Sequence, residues 1–202
     1  MERREVMVGK TRARVLTAAR ELLLLKDFSG FSMEAVARRA DVSRLTLYYQ
    51  FKSKAGLLEA LYDHIARRGK MEQLADVFRH GSDPLATLHD YIRVFANFWA
   101  SDRGAIRRLH GLASIDPDIG KGLQARNERR RQGVQTIVER YSRVYPALSS
   151  ARKAIVIDTI QMLTSFETFD ALAGSSRNMD DVVSIIQEHV HHAVGYAGKA
   201  PL

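Results

Sequence analysis

The chain has 202 residues, 46% of them hydrophobic and 27% charged, with no cysteine and a formal net charge of +8. That composition can bury a core in one two-part unit or two small domains, and it excludes disulfides, thiolate metal sites and cysteine nucleophiles. The charge is uneven: Met1 to Lys54 holds 12 Lys and Arg against 6 Asp and Glu, the footprint of either a polyanion-binding segment or a solvated basic face.

The charged N-terminus lacks the apolar stretch of a signal peptide, and no apolar run approaches a membrane span. The expectation is a soluble, unprocessed, cytoplasmic protein with no membrane partner. Along the chain, helical periodicity dominates. Val15, Ala18, Ala19, Leu22 and Leu23 predict a helix over about 10–26, broken by Asp27 and Gly30. Ser32 caps a short helix through Ala40, Asp41 interrupts, Ser43 caps a third helix to about Phe51, and Ser53 caps a fourth that runs to Gly69. Further helices are expected at 71–80, from Pro84 through Trp99, at 103–112 and at 117–145, the last ended by Pro146. The stretch 149–172 carries apolar residues on more than one side, and 179–196 closes the chain. The β-branched run 154–160 has helical neighbours and no turn residues, so it is read as helix. The fold class is all-α: a helix-turn-helix domain over 1–54 and a larger helical body over 55–202.

Chemistry concentrates in Ser32 to Lys54. Two short helices and a tight turn suit a helix-turn-helix, whose second helix enters a major groove. Asp is among the few residues besides glycine that tolerate the left-handed backbone such a turn requires, so Asp41 fits. With Val42, Leu47 and Phe51 inward, the outer face presents Arg44, Leu45, Thr46, Tyr48, Tyr49 and Gln50. Arg can fork onto guanine, Gln can pair with adenine, Leu or Thr can touch a thymine methyl, and tyrosine hydroxyls can bond phosphates. Lys54 lies in the first turn of the fourth helix, where free N–H groups already favour a phosphate.

Val42-Ser43, Thr46-Leu47-Tyr48, Phe51 and Ser53-Lys54 followed by Leu57-Leu58, with Ser32 in register, resemble the tetracycline-repressor (TetR) family of bacterial transcriptional regulators. The resemblance covers about Thr11 to Tyr62. It departs from the family's pattern at Asp41, where glycine is usual, and at Leu45 and Gln50 on the reading face. Position by position, it implies base contacts from Arg44, Leu45, Thr46 and Tyr49 and phosphate contacts from Tyr48 and Lys54. Ser32, Ser43 and Gln50 complete the candidate DNA-binding set. The resemblance also implies a body that dimerises and receives a small molecule.

The helices at 149–172 and 179–196 are the expected homodimer interface, a four-helix bundle about a two-fold axis. Tyr91, Phe95, Phe98, Trp99, Tyr141, Met162 and Phe166 either line an apolar effector pocket or form ordinary core. Extending the helical stripe back from Val134 brings Arg130, Asn127 and Leu123 inward. A buried Arg130 calls for an anion, either a ligand carboxylate or an internal acid such as Glu167, unless the run 129–131 is a solvated helix end. Glu188, His189 and His192 share a helix face with zinc-compatible spacing but have no further ligand, and no metal or cofactor is assigned. No nucleophile elbow, phosphate loop or carboxylate pair points to an enzyme. The function expected is a ligand-responsive repressor released from an inverted-repeat, double-stranded operator by a small apolar effector that Arg130 biases towards an anion. The alternative is a nucleoid-type DNA-binding protein without an effector.

Overall fold

A computed structural model of the chain describes residues 2–25, 31–81, 83–145 and 148–196, with side chains from residue 7 to 195. Among the described residues there are eleven helices and no strand, and no helix is long and apolar enough to cross a membrane. The chain divides into two compact units, Met1–Ala66 with Asp102–Leu123, and Arg67–Ser101 with Gln124–Leu202. The boundary expected at 54 falls inside the first unit. The fourth helix buries Leu57, Leu58, Leu61 and Ile65, and its first thirteen residues belong with the reader.

In the first unit, α1 (Glu2–Leu24) buries Val15, Leu16, Ala19 and Leu23 and packs on α2 (Met33–Arg39) and α7 (Arg103–Ala113). It starts eight residues before the expected Lys10, because nothing between Glu2 and Lys10 breaks a helix and Gly9 has open space where a side chain would sit. The expected break at Asp27 and Gly30 lies outside the described residues, as does Pro146. α3 (Arg44–Phe51) and α4 (Lys54–Arg68) follow, with Ser32, Ser43 and Ser53 each accepting a first-turn amide as predicted. Asp102 precedes α7, and its carbonyl accepts the Ile106 amide at 3.0 Å, but its side chain makes no cap hydrogen bond. Its carboxylate is held by Arg20 of α1 through both Nε and Nη2, the latter at 3.0 Å. That hydrogen bond, with the charge of Asp102, raises the Arg20 pKa beyond its ordinary value against the opposing effect of burial.

The second unit contains α5 (Gln73–His80), α6 (Pro84–Ser101), most of α8 (Pro117–Val144), α9 (Ser150–Leu163), α10 (Phe166–Ala173) and α11 (Met179–Tyr196). Its core joins Leu88, Tyr91, Ile92 and Phe95 of α6 with Val156 and Ile160 of α9 and Val182, Val183, Ile186, Val190 and Val194 of α11. α4 ends as expected near Gly69, but Lys70 takes the left-handed turn (φ 59°). Gly69 is required for a different reason: a side chain there would collide with the Phe98 backbone at 2.7 Å.

The single helix expected over 149–172 is two helices. Ser165 accepts the Thr168 amide at 3.2 Å and starts α10, while the carbonyls of Gln161 and Thr164 are taken by the side chains of Arg130 (2.6 Å) and Trp99 (3.1 Å). A local serine cap and two tertiary donors compete with the helical ladder at the same turn, so the helix breaks there.

Candidate nucleic-acid interface

The turn between α2 and α3 is built as the sequence requires. Asp41 adopts φ 51°, in the left-handed region, and the Val42 amide donates to the Ala37 carbonyl at 3.0 Å. Arg14 of α1 donates to the Asp41 carbonyl at 3.3 Å, and the Arg12 guanidinium lies 4.7 Å above the Phe51 ring. These two basic residues therefore help to hold the reader together, a role the sequence reading missed. Their partners lie 27 and 39 residues away in sequence, where no local pattern could expose them.

On α3, Leu47 and Phe51 are buried and Val42, just before it, is half-buried. The opposite face projects Leu45 at 81% exposure and Tyr49 at 77%, flanked by Arg44 and the more sheltered Tyr48. An isolated exposed leucine means little, but leucine, two tyrosines and an arginine on one eight-residue helix form a surface matched to base edges and phosphates. Ser43 caps α3 through the Thr46 amide at 3.0 Å and lies 2.8 Å from the Thr46 hydroxyl, so both hydroxyls are already partnered. Ser32 is likewise a helix cap, at 3.1 Å from the Ala35 amide. Lys54 sits at the start of α4 with its ammonium 5.7 Å from the Phe31 ring, and the Lys52 ammonium lies 5.1 Å from the ring of Tyr49. Lys52 closes α3 with φ 65°.

Gln50 departs from the outward placement expected of it. It is half-buried, and its side-chain oxygen is buried and accepts no hydrogen bond. Gln50 lies three residues after Leu47 and one before Phe51, on the flank of the buried stripe rather than at the centre of the exposed face. Arg44 is also more constrained than expected, since its Nη2 lies 2.5 Å from Oε1 of Glu34 on α2.

In the body, five of the aromatic residues proposed for a pocket pack ring to ring. Centroids are 4.8 Å apart for Tyr91 and Phe95, 5.9 Å for Phe95 and Trp99, 4.5 Å for Phe98 and Trp99, and 5.5 Å for Trp99 and Phe166. The Tyr91 hydroxyl donates to the Arg130 carbonyl at 2.8 Å, and burial pushes its pKa far above the ordinary tyrosine range. Tyr141 stacks on Tyr145 at 4.5 Å. Met162 is not among the rings: it is 58% exposed, on the outer side of α9. Arg130 does point inward, and its Nη1 donates to the Gln161 carbonyl and, at 2.8 Å, to the Thr164 hydroxyl. Two neutral oxygens thus contribute to holding the guanidinium. Asn127 is half-buried and its carbonyl accepts from Gln161 at 3.1 Å. His189 and His192 turn Nδ1 to carbonyls of their own helix at 2.8 Å. Among the described residues no group of three potential ligands is arranged to hold a metal.

Comparison with known proteins agrees with this geometry. Residues 15–61 match the family model described as bacterial regulatory proteins, tetR family. Over 62 residues the chain is 39% identical to the uncharacterized HTH-type transcriptional regulator YvkB of Bacillus subtilis, a match covering 30% of this chain and 33% of that protein. The chain thus spans about a third of that curated relative. Similarity to solved structures extends further. A TetR-like transcriptional regulator from Rhodococcus sp. RHA1 superposes with a TM-score of 0.70 at 21% identity, covering 94% of this chain and 97% of that one. NalD of Pseudomonas aeruginosa, described as the secondary repressor of the MexAB-OprM multidrug efflux pump, gives 0.64 at 24% identity over 94% and 96%. At these identities the likeness establishes the fold over nearly the whole chain.

Proposed function

On the premise that residues 15–61 match the tetR family of bacterial regulatory proteins, we propose that this chain is a homodimeric transcriptional repressor of that family that binds an inverted-repeat operator and is released by a small molecule. The observation that carries the DNA-binding part is the exposed face of α3, where Leu45 and Tyr49 stand out from a helix capped and anchored on its other side. Arg44, Leu45, Thr46 and Tyr49 take the base contacts in this reading, and Tyr48 and Lys54 the phosphates. Gln50 is assigned no direct base contact, because its oxygen is turned inward.

Dimerisation is assigned to α9 and α11. Ile155 and Met162 are seven residues apart on one side of α9 and both exposed, while Val156, Ile157 and Ile160 on the other side are buried. A second copy would cover that apolar outer face. The effector is proposed to be small and mainly apolar, taken up beside the aromatic cluster of the body. An acid would compete with the Gln161 carbonyl and the Thr164 hydroxyl for Arg130. Coupling to DNA is assigned to α4, which begins in the first unit and ends in the second.

Selection of bound fragments from random genomic DNA tests the reading. The expected product is a palindromic site with half-sites one DNA turn apart, about 34 Å, or a multiple of it, bound by a species with the light-scattering mass of two chains. Fragments without a shared site would favour a nucleoid-type protein, and a one-chain mass would refute the dimer. Effector class is tested by thermal shift with aromatic and fatty acids beside cationic dyes, with Arg130→Ala as the control. Stabilisation by cations alone would overturn the anionic preference.

A further inference from the structure

Arg44 and Glu34 belong to different helices of the reader and lie ten residues apart in sequence, yet their charged groups meet at 2.5 Å. Both side chains are about half exposed or more, so the pair contributes little to folding. An acidic group here also works against DNA affinity, since it brings a negative charge to the surface that faces phosphates. Weak stability and adverse electrostatics both leave recognition as the place where such a pair has its effect. Resting on the reading of α3 as the base-contacting helix, we propose that Glu34 is a specificity-determining positioning residue, which holds Arg44 in the pose that reads a guanine.

The chemistry favours this role over a phosphate clamp. A guanidinium has five donors in a planar fork, and a carboxylate on one nitrogen leaves other N–H groups free for the O6 and N7 of guanine. The pair is close to neutral overall, so Arg44 is a poor point charge for a phosphate but remains a directional donor. A free arginine side chain samples many rotamers. Pairing with Glu34 restricts that freedom before DNA arrives and so increases the difference between the right base and the wrong one. Arg44 is the first residue of α3, next to the Ser43 cap that fixes the helix start, which leaves its own side chain as the main freedom to restrain.

The experiment uses full-length protein and the palindromic site it selects, together with sites in which each G·C pair of a half-site is changed in turn to A·T. Arg44→Ala is expected to relax preference at one position per half-site. Glu34→Ala is expected to reduce discrimination at that same position by about fivefold, while binding to unrelated DNA stays equal or strengthens. In the Arg44→Ala background, Glu34→Ala should then change nothing further at that position. A general weakening of the fold would lower all sites together and cannot produce this pattern. If Arg44→Ala relaxes a position and Glu34→Ala leaves that position untouched, the positioning role is overturned and the base-reading assignment stands. If Glu34→Ala alters a different position independently of Arg44, Glu34 reads a base itself and the proposal also fails. If Arg44→Ala relaxes no position, the base-reading role of Arg44 fails, and the positioning role with it.

Discussion

α3 of the reader and α6 of the body are built from similar residues, with tyrosine, phenylalanine and leucine in both, yet they expose them to different extents. α3 leaves Leu45 and Tyr49 largely in solvent, whereas α6 buries Tyr91 completely and Phe95, Phe98 and Trp99 almost so. The polar groups follow the same division. In the body the Tyr91 hydroxyl and the Trp99 indole N–H end on backbone carbonyls, while on the reader Tyr49 meets a neighbouring lysine. A buried aromatic residue, Phe51 of α3 included, therefore contributes stability, while an exposed one such as Tyr49 is left for the proposed recognition, and exposure distinguishes the two where residue type does not.

The sharpest way to break that contrast is to truncate one aromatic residue in each region. Trp99→Ala removes a buried ring and the donor to the Thr164 carbonyl at the α9–α10 break, and should reduce unfolding free energy by about 3–5 kcal/mol. Tyr49→Ala should leave stability within about 0.5 kcal/mol and lower operator affinity about tenfold. Urea denaturation and operator titration of both variants check this. A Trp99→Ala protein of unaltered stability would mean that the aromatic cluster is not core.

A smaller effect is expected from the ion pair in the first unit. Asp102→Asn removes the charge that Arg20 holds, and Arg20 keeps partial access to water, so the loss should be about 1.5–3 kcal/mol by urea denaturation. An unchanged midpoint would show that the pair does not contribute to holding α1 against the start of α7. Smaller again in free energy, Lys54→Ala should weaken binding at all sites alike and reduce the slope of log affinity against log salt by about one per subunit, with folding unchanged. A change in base preference with the same slope would reverse the assignment.

How far the sequence could be read follows the same division. The helix-turn-helix, the serine caps and the left-handed Asp41 were legible because each depends on local spacing or on a residue's own backbone preference, whereas spacing alone left Arg130 open between an inward place and a solvated helix end. The break at Thr164–Ser165 was not, because the donors that compete for those carbonyls come from Trp99 and Arg130, 65 and 31 residues away from their acceptors. The half-buried state of Gln50 and the Glu34–Arg44 pair were missed for a related reason. A helix wheel identifies a face, but whether its edge is covered, and by which charge, depends on how α1 and α2 pack. Tyr91, Phe95 and Trp99 had two readings from sequence, pocket or core, since both require the same apolar stripe.

The smallest effect concerns a half-buried carboxyl at the start of α6 in the body, which is expected to act on the fold and show itself through pH. Asp83 accepts the Ala86 amide at 2.8 Å at the start of α6 and the Tyr145 hydroxyl at 3.1 Å. The amide first, and the phenol after it, hold its carboxyl below the usual carboxylate range. A carboxyl with a lowered folded-state pKa contributes stability that is present above its ordinary value, near 4, and is lost as pH falls through the lower folded value. Tyr145 has the opposite sign. Its hydroxyl donates to Asp83, which raises its pKa, so its contribution is complete below the ordinary tyrosine value, near 10, and is lost as pH rises through the higher folded one. Asp83→Asn should therefore lower stability slightly at pH 7, flatten the decline in stability below about pH 4, and bring the tyrosinate absorbance of Tyr145 on at lower pH than in the unaltered protein. Denaturation across acid pH and an alkaline spectrophotometric titration check both limbs. Were the acid limb and the tyrosinate transition both unmoved, Asp83 would be an ordinary surface carboxylate whose two hydrogen bonds do not contribute to the fold.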